Sequence, residues 1–201
     1  ISVLMISLIM NIKTARDYMA ISEENTVLKE SIELVTVDHN VELLAGRYAT
    51  SKSPMPKDRD EIFKFCVESG AWYPDIIMAQ LILESSCGKS DVYRHSRNLY
   101  GMKKIGEGQK SRPNLQIPGM DYHGYGMYLN WQHSILDRVL WERWMFARTG
   151  KPADRHEYYA KINGIYAEDP DYIEKISRIA KEWESKIDSA SPAQTLDTIF
   201  N

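Results

Sequence analysis

Cysteine is almost missing from this chain: Cys66 and Cys87 are the only two in 201 residues. Two are too few for a disulfide framework, so a packed core must hold the fold. Each falls on one of two neighbouring predicted helices, where a bridge is conceivable but buried free thiols are expected. The five histidines are scattered, with no H-E-x-x-H or C-x-x-C spacing, so no metal site is expected. Charge of one sign is lacking too. A formal net charge of -3 and a pI near 6.0 give no bulk electrostatic reason to propose nucleic acid as a partner. There is no internal repeat. The apolar run Ile1 to Met10, ISVLMISLIM, is too short to cross a bilayer by itself. Gly88-Lys89-Ser90 invites a phosphate-loop reading. That reading fails, because Leu83 stands where the motif needs a glycine and the loop follows its helix instead of preceding it.

What the chain does contain is a carboxylate in an apolar setting. From Trp72 to Ser90, Pro74 and Asp75 suit a first helical turn and Gly88 suits an end. Between them Ile76, Ile77, Met78, Ala79, Leu81, Ile82 and Leu83 leave no polar face, the pattern of a helix buried all round. Gln80 and Glu84 interrupt it. Four residues apart, they share one face, and a polar stripe on a buried helix implies a cleft there. An ionised carboxylate in an apolar wall is costly, which raises its pKa and keeps the proton that a general acid needs. The plainer alternative is a buried Glu that accepts backbone hydrogen bonds or pairs with an arginine.

The string AQLILESSCGKS, followed by Arg97-Asn98-Leu99-Tyr100-Gly101-Met102-Lys103, resembles the signature of the glucosaminidases of glycoside hydrolase family 73, A-Q-x-x-L-E-S-x-x-G-x-S and then N-N-L-F-G-x-K. Tyr166-Ala167-Glu168-Asp169-Pro170-Asp171-Tyr172 is similar to that family's Y-A-T-D-P-x-Y. The likeness spans about residues 58 to 188. Arg97, Cys87 and Glu168 depart from the pattern, and the segment between the second and third motifs matches poorly.

The resemblance implies an α+β, mainly α-helical, lysozyme-like domain with a small β-hairpin lobe. It also implies hydrolysis of β-1,4 bonds in peptidoglycan glycan strands, without cofactor or metal, by an endo-β-N-acetylglucosaminidase of autolysin or phage-lysin type. Such a protein works outside the cytoplasm, at a bacterial envelope or carried by a phage particle. Glu84 is the expected general acid. Most glycosidases add a second carboxylate. Asp121 is preferred to Glu107 for that role, since it adjoins an aromatic strand whereas Glu107 sits in a Gly-Glu-Gly turn. A substrate acetamido group can replace it, with Tyr166 positioning the amide. Gln80, Asn98, Tyr100, Tyr122, Tyr125, Tyr128 and Trp131 are candidate substrate contacts; Tyr122, Tyr125, Tyr128 and Trp131 offer stacking faces to sugars or in part simply fill a small core. The alternatives are a lytic transglycosylase or muramidase of similar fold, and a non-catalytic wall-binding module.

Composition divides the chain further. Residues 1–49 read as an apolar run plus a polar helix, an anchor or tether for a membrane or virion. Residues 50–57, TSKSPMPK, read as a linker, 58–188 as the catalytic domain and 189–201 as a tail. Asp58 with Glu61, Ser134 with Asp137, and Asp154 with Glu157 mark helix starts, and Asp169-Pro170 begins a last long helix. In residues 103–131 the glycines and prolines exclude a helix, while Tyr125, Met127, Leu129 and Trp131 alternate as in a strand.

Overall fold

The computed structural model describes residues 39–106, 113–166 and 169–187. The apolar run, most of the polar helical stretch, Glu107, Glu168 and the C-terminal tail lie outside them. Among the described residues the fold is mainly helical, with one two-stranded antiparallel sheet. Helix α1 covers residues 39–48 and is followed by α2 (Arg59–Glu68), α3 (Pro74–Ser85) and α4 (Asp91–Ser96). A hairpin of β1 (Asp121–Tyr122) and β2 (Tyr125–Gly126) precedes α5 (Trp131–Met145), α6 (Arg155–Ile162) and α7 (Tyr172–Glu184).

Local chemistry sets these limits. Asp58 accepts from Asp60 N at the start of α2, and Asp154 accepts from Glu157 N at the start of α6. Each satisfies a backbone donor that a helix start leaves over. Glu157 in turn accepts from Ala153 N, one residue ahead of the cap, which ties the incoming chain to the first turn. α3 starts on Pro74 and ends as Ser86, Cys87 and Gly88 turn left-handed. α5 begins earlier than its Ser134 signal, because Asn130 accepts from His133 N. Trp131 is thereby a helix residue, and the strand pattern expected through Met127 and Leu129 shortens to Tyr125–Gly126.

α3 is the central element and packs chiefly on α7 and α2. Ile76, Ile77, Met78, Ala79 and Leu81 are all sealed from solvent. Burying side chains of this kind is worth about 1.5–3 kcal/mol each for the larger ones. On α7, Tyr172, Ile176, Ala180 and Trp183 form the buried stripe. Both cysteines are free, and burial pushes the Cys66 thiol well up, so it behaves as a small apolar group.

Residues 39–48 belong to this compact unit, which begins at Asp38. Val41 and Leu44 are buried, Tyr48 packs edge-on against Phe65 at 5.4 Å, and Asn40 donates to the Glu68 carbonyl at 2.9 Å. The unit therefore starts ahead of the 50–57 segment read as a linker. Among the described residues no helix is long and apolar enough to cross a membrane.

Candidate active site

Glu84 sits in the last turn of α3, half-buried, and burial raises its carboxyl above the ordinary range. A hydrogen bond from Tyr172 works in the opposite direction by favouring the ionised form. The Glu84 Oε2 atom faces the loop after α4 and the hairpin: a methyl group on Gly101 would stand 3.8 Å from it and 3.9 Å from the Tyr125 ring. Gly101 itself has φ +62°, a left-handed turn that a glycine adopts without strain.

A buried relay fixes this carboxylate from behind. Arg138, fully buried on α5, donates from Nε and Nη2 to Gln80 Oε1 at 3.1 and 2.6 Å. A guanidinium only donates, so the Gln80 oxygen must face it and the Gln80 amide nitrogen must face the other way. That nitrogen donates to the Tyr172 hydroxyl oxygen at 3.0 Å. The Tyr172 hydrogen is thus left for Glu84. Arg138 also donates to Tyr158 at 3.0 Å, and Tyr158 donates to the buried Glu142 at 2.8 Å. Glu142 further accepts from Trp72 N at 3.1 Å and Arg143 at 3.3 Å, so both ends of the chain of bonds are held.

Tyr166 lies beside the relay. Its ring stacks near Tyr172 at 5.7 Å and lies 5.2 Å from the Arg138 guanidinium, while its hydroxyl donates to the Tyr100 carbonyl at 2.8 Å. Burial foremost, and the Glu84 charge in part, push its phenol upward despite Arg138.

The residues expected to touch substrate divide into two groups. Gln80, Asn98, Tyr100, Tyr128 and Trp131 are buried. Asn98 spends its side chain on the loop and hairpin, donating to the Met102 and Gly126 carbonyls and accepting from Tyr100 N and Met102 N. Tyr128 donates to Asp137 at 2.8 Å, and Trp131 packs on Phe65 at 5.2 Å. These five lie in the packed interior. Tyr122 and Tyr125, paired across the hairpin, are the partly exposed ones. Tyr122 donates to Asp91 at 2.7 Å and stacks on His95; Tyr125 lies under Lys103 Nζ at 3.9 Å.

Asp121 neighbours Tyr122 on β1 and so points to the other face of the hairpin. It pairs with Lys104 at 3.4 Å and accepts from Gly124 N at 3.3 Å. The structure gathers Glu84, Gln80, Tyr166, Tyr172 and Tyr125 and leaves Asp121 with other partners. No group of histidine, cysteine and carboxylate side chains suited to a metal occurs among the described residues.

Residues 62–185 match the family described as Glucosaminidase: Mannosyl-glycoprotein endo-beta-N-acetylglucosaminidase. The chain belongs to the glucosaminidase family. It is therefore a glycoside hydrolase, and the family supports peptidoglycan hydrolysis outside the cytoplasm as its work. Among solved structures, this glucosaminidase is similar to the catalytic domain of the autolysin Auto from Listeria monocytogenes. The two are 16% identical over 75% of this chain and 97% of that one, with a TM-score of 0.42. No curated protein matches it.

Tyr172 and Arg138 are the site residues that sequence reasoning missed. Tyr172 closes the third motif and was read only as part of it. Arg138 lies within a helix read for its apolar positions, although an arginine set among Ile135, Leu136, Val139 and Leu140 is itself a signal of a buried partner.

Proposed function

We propose that this glucosaminidase is an endo-β-N-acetylglucosaminidase of peptidoglycan glycan strands, with Glu84 as the general acid. The observation that carries the reading is the desolvated Glu84 carboxyl at the mouth of α3, backed by the Arg138–Gln80–Tyr172 relay and turned toward Gly101 and Tyr125. Protonated Glu84 gives its hydrogen to the glycosidic oxygen as the bond to the anomeric carbon breaks. The carboxylate formed is then stabilised by Tyr172, whose hydroxyl accepts from Gln80 and so keeps its own hydrogen to offer. Tyr125 and Tyr122 offer ring faces along the strand.

The electron-deficient anomeric carbon needs a partner on its opposite face. Asp121 serves as base if the hairpin swings its face toward the strand. The substrate's own acetamido group serves if it does not, held by the loop that Tyr166 ties down. Mass analysis of products from purified peptidoglycan tests the reading. Reducing-end N-acetylglucosamine is expected. Anhydro-muramic or muramic reducing ends would make it a transglycosylase or muramidase, and an absence of cleavage would make it a binding module.

A further inference from the structure

A cavity that Glu84 does not line opens elsewhere among the described residues. It has a volume of about 950 Å³ and runs between residues 51–57, the turn after α3 and the start of α5. Its walls carry Lys52, Lys57, Arg59, Lys89 and Arg97 and no carboxylate. That is a concentrated positive field in a chain of net charge -3. Lys52, Lys57, Arg59 and Lys89 make no ion pair among the described residues, and Arg97 binds only the Arg94 carbonyl, at 2.8 Å. Two acids that flank its lining residues in the sequence are committed elsewhere: Asp58 caps α2, and Asp60 pairs with Lys186 at 2.6 Å. Like charges held together repel, and no described carboxylate pairs with these, so an anion bound here would relieve a cost.

The cleft is built, not incidental. Asn130 donates to the Tyr48 carbonyl at 2.7 Å, anchoring the chain where the segment starts, and Met55 sits so close over Gly88 that a Cβ there would lie 2.7 Å from its sulfur. Cys87 and Arg97, two of the departures from the family signature, both line it. Arg97 holds a left-handed φ of +59°, a conformation unfavourable for a long side chain, so its place at the cleft is kept against local preference.

We propose that this cleft binds the carboxylates of the peptide stems carried by the glycan strand, as an anionic subsite beside the cleavage site. The inference rests on the peptidoglycan reading above. It favours stems over a separate phosphate polymer because Cys87, Gly88 and Lys89 directly follow the catalytic turn, so the cleft begins within about 11 Å of Glu84 along the chain. Stems attached to alternate sugars of a strand lying on Glu84 fall within that reach.

The test uses the full chain with Glu84→Gln, which binds without cutting, and insoluble peptidoglycan whose stem carboxylates are either native or converted to amides. Native material should bind about tenfold tighter, a preference that salt weakens and that Lys57→Gln, Arg59→Gln and Lys89→Gln together abolish. The single reversal Lys89→Glu should lower it in part. With Glu84 restored, the triple variant should cleave stem-free chito-oligosaccharides at the parent rate while its KM for stem-bearing strands rises about tenfold. Equal binding to native and amidated material overturns the proposal, as does an unchanged KM in the triple variant. Competition by polyphosphate but not by polyglutamate also overturns it, in favour of a phosphate polymer. Because binding is read in an inactive protein, a failure of cleavage by the parent would strike the catalytic reading alone.

Discussion

Replacing Arg138 with methionine should both destabilise the protein and slow it, for separable reasons. The guanidinium is wholly buried and supplies two hydrogen bonds to Gln80 and one to Tyr158. Its charge also faces Glu142, which is sealed from solvent. Removing one partner from a buried charged network costs about 3–5 kcal/mol, a large share of the roughly 5–15 kcal/mol that holds a domain. The kinetic effect follows from orientation. Without Arg138, nothing dictates which way the Gln80 amide points, so Tyr172 need not present its hydrogen to Glu84. A hydrogen bond to a charged group is worth about 1.5–3 kcal/mol, or about ten- to a hundredfold in rate if it forms fully only as Glu84 gives up its proton. Denaturant unfolding gives the first quantity, and kcat on glycan strands well below the melting temperature gives the second. Arg138→Lys keeps a charge but cannot span Gln80 and Tyr158 with the same fork. It should therefore fold better than the methionine variant and remain slow. A methionine variant within about 1 kcal/mol of the parent, or a lysine variant with normal kcat, would refute the relay.

Other perturbations have equally definite signs. Tyr172→Phe removes the bond that favours ionised Glu84, so the alkaline limb of the pH–rate profile should move to higher pH while the maximal rate falls; a shift to lower pH contradicts the assignment. Asp121→Asn should slow cleavage about a hundredfold or more if that carboxylate is the base, and leave it near normal if the acetamido group acts, with Glu107→Gln as the parallel comparison. A chain that starts at Lys57 loses Val41 and Leu44 from the core and should be less stable by about 3–6 kcal/mol by urea unfolding than one that starts at Asp38; equal stability would contradict their place in the core.

Much of this arrangement was legible in the residues. The apolar run around Gln80 and Glu84 announced the central helix and its polar stripe, although Gln80 meets the buried Arg138 and Tyr172 there and not an open cleft. Side-chain caps at Asp58 and Asp154 placed two helix starts, since their bonds are local. What escaped depends on distance along the chain. Arg138 is 58 residues from Gln80, and Tyr172 is 92, so nothing in either neighbourhood reveals the pairing. Aromatic content misled for a related reason. Tyr128 and Trp131 looked like sugar platforms, yet each is buried by contacts that sequence spacing does not show. The proline-rich 50–57 segment reads as a linker on composition, while Val41 and Leu44 reach the core from its far side.

The central claim is that Glu84 donates a proton from an apolar setting, and a pH–rate profile of kcat/KM for the parent beside Glu84→Gln tests it most directly. Burial raises the Glu84 pKa, so the folded enzyme keeps its neutral acid at pH values where a free glutamic acid, near 4.3, is already ionised. Activity should hold through that range and decline only as pH climbs past the raised value. The glutamine variant should fold and lose activity by about a hundredfold or more wherever the parent keeps that proton. Its stability relative to the parent should improve as pH rises, because it lacks the carboxyl whose ionisation opposes the fold. A parent profile that falls at or below about pH 4.3, or a glutamine variant that keeps more than about a tenth of the parent rate, would contradict the account.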